Sequence, residues 1–170
     1  MHDNKLVRLL RHRLWDEADA RRALPPPARL RLQQQVAASE ARHSGEIRIC
    51  VEAGLPTSYL WRGAPVRQRA LALFGKLRVW DTEHNNGVLI YLLLAERSIE
   101  LVADRGLSRL TPPDSWPRLV AELGGALQQG RFEQGLAAAI DAVSALLLEH
   151  FPLPAGQAPL NELPDAVILL

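Results

Sequence analysis

The fold is decided by the stretch Asn85-Asn86-Gly87-Val88-Leu89-Ile90-Tyr91-Leu92 and by a second apolar run that follows it. This second run ends in Asp104-Arg105-Gly106. Residues 88–94 are apolar on both faces, which is typical of a strand in the middle of a sheet. Residues 95–98 are short enough for a hairpin turn, so residues 99–103 are predicted to return as an antiparallel strand. This pairing places the polar residues before one strand beside those after the next.

An earlier segment, residues 46–52, alternates strictly between polar and apolar side chains. This period is typical of a half-exposed strand with its apolar side chains facing the core and its charged side chains facing solvent. The apolar set is Ile47, Ile49 and Val51, and the charged set is Glu46, Arg48 and Glu52. A helical segment separates this strand from residues 88–94, so the two strands are predicted to be parallel with a right-handed crossover.

Helical periodicity occupies most of the remaining chain. The predicted helices are residues 4–23, 28–43, 66–79, 116–128 and 132–150. This order of elements predicts an α/β fold, a three-layer α/β/α sandwich with a small mixed sheet and an N-terminal helical extension.

The chain is predicted to divide into a helical N-terminal extension (1–27), an α/β domain (28–151) and a Pro-rich C-terminal tail (152–170). The extension ends at Pro25-Pro26-Pro27, because consecutive prolines stop a helix and act as a stiff spacer. The apolar residues 166–170 either add an edge strand or pack on the body. These apolar residues leave open whether the protein is a monomer or a weak dimer.

Composition excludes several classes of protein. A chain of 170 residues with a net charge of +1 fits one globular domain and argues against a dedicated nucleic-acid-binding protein. The lone Cys50 excludes an internal disulfide and suits a reducing compartment. Neither a signal peptide nor an apolar run of about 20 residues is visible, so a cytoplasmic protein with no transmembrane segment is expected.

The standard catalytic and cofactor motifs are absent from the sequence. It contains no phosphate loop, no GxGxxG fingerprint, no GxSxG elbow and no HExxH zinc motif. The sequence therefore predicts no organic cofactor.

Polar residues from three segments are predicted to meet at one end of the sheet. Hairpin pairing brings Asn86 and Gly87 close to Asp104 and Arg105, and the parallel crossover adds the start of the first strand. Carboxylate and amide oxygens are the ligands that Ca²⁺ and Mg²⁺ prefer in proteins. The predicted metal ligands are Glu46, Asp81, Asn85, Asn86 and Asp104.

Simpler interpretations of the same residues stay open. Asn85-Asn86-Gly87 fits a turn, because Asn and Gly tolerate positive φ. Asp104-Arg105-Gly106 fits a structural ion pair followed by a turn glycine. His43 stands beside Ser44-Gly45, which is typical of a cation at a helix C-terminus rather than of a metal ligand.

The order and spacing of these segments resemble the TPM domain family, and in particular its soluble bacterial branch. The similar segments are 44–48, 86–91, 99–106, 130–136 and 161–165, within a resemblance that covers about residues 28–151 well. The resemblance implies an α/β/α sandwich, divalent-cation binding as in some members, and the acid-phosphatase activity proposed for plant relatives.

Carried over to this chain, the resemblance places the family's acid-Asn-Gly stretch on Asn85-Asn86-Gly87 and its strand-end acid on Asp104. Many relatives have Asp where this chain has Asn85, so one negative charge is lost here. The implied activity is metal-dependent hydrolysis of phosphomonoesters with Ca²⁺ or Mg²⁺. Asp104 and Arg105 are then the candidate catalytic residues, with Arg105 as the phosphate contact.

An alternative function is a non-enzymatic interaction module with a vestigial site. The N-terminal helix carries blocks of basic and acidic residues, and such blocks favour a surface that docks a protein partner. Hydrolysis of generic phosphate esters would distinguish the enzyme from the module.

Overall fold

A computed structural model describes residues 5–158 and 160–170. Its strands are β1 (Ile47–Glu52), β2 (Val88–Leu93), β3 (Ser98–Ala103) and β4 (Ile168–Leu169). They form one sheet in the order β3-β2-β1-β4. β1 is parallel to both β2 and β4, whereas β2 and β3 form an antiparallel hairpin. The predicted mixed sheet, crossover and hairpin are therefore confirmed.

Eight helices pack around this sheet in the described residues. They are α1 (Lys5–Arg13), α2 (Glu17–Ala23), α3 (Pro26–Glu40), α4 (Thr57–Trp61), α5 (Val66–Lys76), α6 (Arg105–Leu110), α7 (Ser115–Gln128) and α8 (Phe132–His150). Residues of α2, α3, α6, α7 and α8 belong to the core on one sheet face, and residues of α1, α4 and α5 belong to the core on the other. This arrangement confirms the three-layer α/β/α sandwich.

The apolar sequence of β2 reflects its position between these two cores. Val88, Ile90 and Leu92 face one core, while Leu89 and Tyr91 face the other, and all are fully buried. Burial of a large apolar side chain contributes about 1.5–3 kcal/mol, so a central strand stabilises both layers at once.

The prediction that β1 is half exposed was wrong, because all six of its residues are buried. Glu52, one of its charged residues, has partners that the alternating pattern does not reveal. The Arg69 guanidinium donates two hydrogen bonds, of 2.9 and 2.6 Å, to the carboxylate of Glu52. The hydroxyl of Tyr91 donates a third, of 2.6 Å, to the same carboxylate. A charge with this many partners is tolerated inside a protein.

The predicted single helix over residues 4–23 is two helices in the described residues, and Asn4 lies outside them. α1 ends at Arg13 and α2 begins at Glu17, with Asp16 as the residue that caps α2. The Asp16 carboxylate accepts from the backbone of Asp19, and the Asp19 carboxylate accepts from the backbone of Asp16. This reciprocal capping box ends one helix and starts the next.

Both ends of the chain contribute to the folded body. Ala20 and Leu24, in and after α2, are fully buried in the first core. At the other end, β4 forms an edge strand, and the Leu170 N–H donates a 2.9 Å hydrogen bond to the carbonyl of Val51. None of the described helices has the length and apolar character needed to cross a membrane.

Candidate functional site

The start of β2 and the end of β3 lie at the same end of the sheet. This end brings together the segments that the sequence singled out. The Val88 N–H donates a 2.8 Å hydrogen bond to the carbonyl of Glu46. The Asp104 N–H donates a 2.9 Å hydrogen bond to the carbonyl of Gly87. The three chain segments are therefore neighbours at backbone level, as the predicted pairing requires.

Close backbone contacts hold the two segments nearest the surface in place. The Gly106 N–H donates a 2.8 Å hydrogen bond to the carbonyl of Asn85. A Cβ at Gly106 would lie 2.5 Å from that oxygen and 2.6 Å from the carbonyl oxygen of His84, so only glycine fits. Asn85 has a φ of 51°, in the left-handed region that asparagine tolerates. We call this polar end of the sheet, formed by residues 85–87 and 104–106, the rim. Asn85-Asn86-Gly87 can thus be a turn and also form part of the rim.

An open pocket of about 550 Å³ lies over this rim. Its lining residues are Trp80, His84, Asn85, Asp104, Arg105, Gly106 and Arg109. The volume is in the range of small-molecule sites in proteins.

Asp104 is the acidic residue among those that line the pocket. Its Oδ1 accepts a 2.6 Å hydrogen bond from the Arg105 N–H and caps α6. Its Oδ2 is buried and has no hydrogen-bond partner in the part of the chain that the structure describes. A buried carboxylate oxygen without a partner is costly, so the position is suited to a ligand or a water.

Arg105 and Arg109 bring positive charge to the same pocket. Both side chains are exposed, and neither guanidinium makes a hydrogen bond or ion pair within residues 5–158 and 160–170. They lie four residues apart on α6 and therefore share one helix face. The sequence interpretation missed Arg109 because it did not predict α6, a helix of six residues that is too short to show a clear helical period.

Of the five predicted metal ligands, Asn85 and Asp104 line this pocket and the other three do not. Asp81 forms a 2.6 Å ion pair with Arg78 in the loop before β2. Asn86 is fully buried beneath the rim, where its Nδ2 donates a 3.2 Å hydrogen bond to Ser44 Oγ and its Oδ1 has no partner in the described part.

Glu46 turns away from the pocket toward the C-terminal tail. Its carboxylate accepts hydrogen bonds of 2.9 and 3.1 Å from the N–H groups of Glu162 and Leu163. Burial raises the pKa of Glu46, and that of nearby Glu40 rises to about 9 for the same reason. Together with Asp165 they form an acidic cluster under the tail, which is separate from the pocket.

The donor set of the pocket does not fit a divalent cation held by the protein alone. Ca²⁺ takes six to eight oxygen ligands, whereas the pocket offers one carboxylate and one side-chain amide beside two guanidinium groups. In the described ranges no three His, Cys, Asp or Glu side chains form a metal-ligating group. Binding of Ca²⁺ or Mg²⁺ stays a prediction that calorimetry with each metal would test.

His43 is part of a buried network rather than an exposed helix-terminal cation, so that interpretation was wrong. Its Nε2 lies 2.7 Å from Ser39 Oγ, and its Nδ1 lies 3.1 Å from the carbonyl oxygen of Gly45. Ser39 Oγ also lies 2.5 Å from Ser144 Oγ on α8. Burial lowers the pKa of His43 to about 4, which keeps the ring neutral near pH 7.

We expect protonation of His43 to destabilise the fold in mild acid. Because its pKa drops from 6.5 to about 4 on folding, its contribution is complete above pH 6.5 and is lost as the pH falls toward 4. The loss amounts to at most about 3 kcal/mol of unfolding free energy. Urea denaturation of the wild type and of His43→Gln across this pH range measures it. An identical pH slope in the two proteins would contradict the assignment.

A sequence model of the TPM domain family matches residues 18–146. The chain belongs to the TPM domain family. The match begins inside α2 and ends inside α8, so the TPM domain contains the sheet hairpin and the whole pocket, while α1 precedes it.

Two solved structures share the fold of this TPM domain protein. The NMR structure of BA42 from the psychrophilic bacterium Bizionia argentinensis is 25% identical, with a TM-score of 0.74, over 86% of this chain and 95% of that chain. The N-terminal domain of a protein from P. gingivalis is 24% identical, with a TM-score of 0.50, over 70% and 78% of the two chains. No curated protein matches the sequence.

Proposed function

We propose that this TPM domain binds phosphate esters in the pocket over the rim and hydrolyses phosphomonoesters there. One observation carries the proposal. Two arginines without partners in the described residues line the same pocket as Asp104, whose buried Oδ2 also has no partner there.

The arginines supply what a phosphate group requires for binding. A guanidinium donates charge-assisted hydrogen bonds to phosphate oxygens, often two in parallel. Arg105 and Arg109 extend from one face of α6 into a pocket whose single acidic group is Asp104. The pocket therefore carries a net positive charge, which favours an anion.

The remaining polar groups suit acid–base chemistry on the bound ester. In the proposed reaction, a water attacks phosphorus and gives a proton to the Asp104 carboxylate. The P–O bond to the leaving group breaks, and His84 gives a ring N–H proton to the departing oxygen. The products are the free alcohol and inorganic phosphate. His84 lines the pocket and lies one residue before Asn85, within the turn that forms the rim.

Calorimetry with inorganic phosphate tests the binding step. We expect Arg105→Gln/Arg109→Gln to weaken phosphate binding by about tenfold or more, since a hydrogen bond to a charged group contributes about 1.5–3 kcal/mol. Arg118→Gln is the matched control, because this exposed arginine on α7 lies outside the pocket and should leave affinity unchanged. Equal affinity in all three proteins would overturn the binding proposal.

The variant Asp104→Asn separates phosphate binding from ester hydrolysis. Asparagine caps a helix about as well as aspartate, so the fold should persist while the carboxylate is lost. Phosphate should bind at least as tightly, whereas hydrolysis of p-nitrophenyl phosphate should fall by about 10²–10⁴-fold. Unchanged hydrolysis would remove Asp104 from the mechanism.

A second candidate function is a module that acts by binding rather than by catalysis. The observation that favours it is the absence, among the pocket-lining residues, of a second carboxylate to complete a metal-dependent site. Phosphate binding without any ester hydrolysis by the wild type would support the module over the enzyme.

A further inference from the structure

Helix α1 is fixed to the body through its inner face. Leu9 packs against the second core, and His12 Nδ1 accepts a 3.0 Å hydrogen bond from the Leu55 N–H. Arg8 and His12 contact the Glu96 carboxylate at 2.8 and 2.9 Å. A Cβ at Gly54 would lie 2.8 Å from the carbonyl oxygen of His12, so the helix approaches the body closely. α1 is thus a docked element with a defined outer face.

The outer face of α1 is apolar where a surface helix is normally polar. Leu6 and Leu10 in α1, and Leu14 in the turn directly after it, follow one another at four-residue intervals and are 66%, 62% and 81% exposed. Trp61 at the end of α4 is 73% exposed and shares a small pocket with Leu6. Exposed apolar patches that are bordered by polar residues mark interaction sites.

The charged residues of α1 itself are all basic, whereas the exposed Asp16 and Glu17 follow Leu14 at the far end of the patch. α1 has the sequence KLVRLLRHR, which contains no acidic residue. Lys5 and Arg13 are exposed at its two ends, and Arg62 is exposed beside Trp61. An occupant of this surface must therefore accept leucine and tryptophan side chains and carry negative charge.

We propose that the α1 patch, formed by Leu6, Leu10, Leu14 and Trp61 with the flanking Lys5 and Arg13, docks on a membrane surface that contains anionic lipids. Leucine and tryptophan enter the boundary between headgroups and acyl chains, and basic residues attract the anionic headgroups. Exposed basic side chains at Lys5, Arg13 and Arg62 border the apolar residues of the patch, which suits a surface of anionic lipid headgroups.

The position of α1 agrees with such docking. It precedes the residues that match the TPM domain, and its contact to Glu96 places it at the hairpin-turn end of β2. The phosphate pocket lies at the opposite end of β2, beyond Val88. Docking through α1 therefore leaves the pocket accessible.

Flotation of the full-length protein with lipid vesicles tests this proposal independently of any phosphatase activity. The protein should bind vesicles that contain phosphatidylglycerol, bind pure phosphatidylcholine vesicles less, and dissociate as salt is raised. Leu10→Gln/Leu14→Gln should reduce binding by about tenfold or more, because it removes apolar surface from the membrane boundary. Both leucines are exposed, so the fold should survive.

Leu71→Gln is the matched control, since this leucine on α5 is 51% exposed but lies outside the α1 patch. It should bind anionic vesicles as the wild type does. The proposal would be overturned if the protein bound no vesicles, or if Leu10→Gln/Leu14→Gln bound them as well as the wild type. It would also be overturned if the wild type bound no vesicles but associated with itself at high concentration and the double variant did not. The last result would assign the patch to a second copy of the chain.

Discussion

Replacement of Gly87 by alanine is expected to lower the free energy of unfolding by about 3 kcal/mol, the upper end of the usual cost of overpacking. A Cβ at this position would lie 2.0 Å from the carbonyl oxygen of Val79. That oxygen belongs to the backbone and cannot rotate away as the end of a side chain can. Gly87 also joins the rim to β2, since its carbonyl accepts from the Asp104 N–H. Urea denaturation followed by circular dichroism measures the effect.

Gly124→Ala provides the matched control for this substitution. Gly124 lies within α7, and a Cβ there would meet nothing within 4 Å. Because glycine costs about 1 kcal/mol relative to alanine inside a helix, Gly124→Ala should stabilise the protein by up to that amount. Similar stability changes for the two variants would mean that the close approach of Val79 is not what requires glycine at position 87.

Removal of the Arg69 guanidinium is expected to cost about 3–5 kcal/mol of stability. Arg69→Met keeps much of the side-chain length but leaves the Glu52 carboxylate buried, with the Tyr91 hydroxyl as its remaining donor. The penalty comes from this uncompensated charge rather than from lost packing. Thermal or urea denaturation of the variant measures it.

An exposed pair of similar geometry gives the control. Arg31 donates hydrogen bonds of 2.7 and 2.9 Å to Glu133, and its side chain is 60% exposed. Arg31→Met should therefore change stability by no more than about 1 kcal/mol. The double variant Arg69→Met/Glu52→Gln should recover part of the loss, because the buried charge is gone while Tyr91 keeps an acceptor. No recovery would show that charge burial is not the cause.

The sheet could be predicted because its determinants are local. A hairpin follows from β2, which is apolar on both faces, and from the short turn after it. A crossover follows from the helix between β1 and β2, and neither inference needs knowledge of distant contacts. The same elements place Gly87 beside Asp104, so the position of the rim also follows from the sequence. The resemblance of residues 28–151 to the TPM domain was confirmed by the match over residues 18–146.

The candidate site was only partly predictable. Asn85 and Asp104 line the pocket together, as the hairpin register implies, whereas Glu46 is bound by the tail and Asp81 by Arg78. Arg109 lines the pocket because it lies on α6, a short helix with too few residues to show a clear helical period in the sequence. The roles of Asp104 and Arg105 stay predictions.

The sequence by itself determined the order and pairing of β1, β2 and β3 and the family, because each of these follows from spacing along the chain. The tertiary structure decided which charged residues are buried and which apolar residues stay outside. Glu52 was predicted to face solvent but is buried with Arg69, and Leu10 stays exposed because α1 packs on the body through its other face. Burial of a charge depends on partners remote in the chain, and a pattern of residue types does not name those partners.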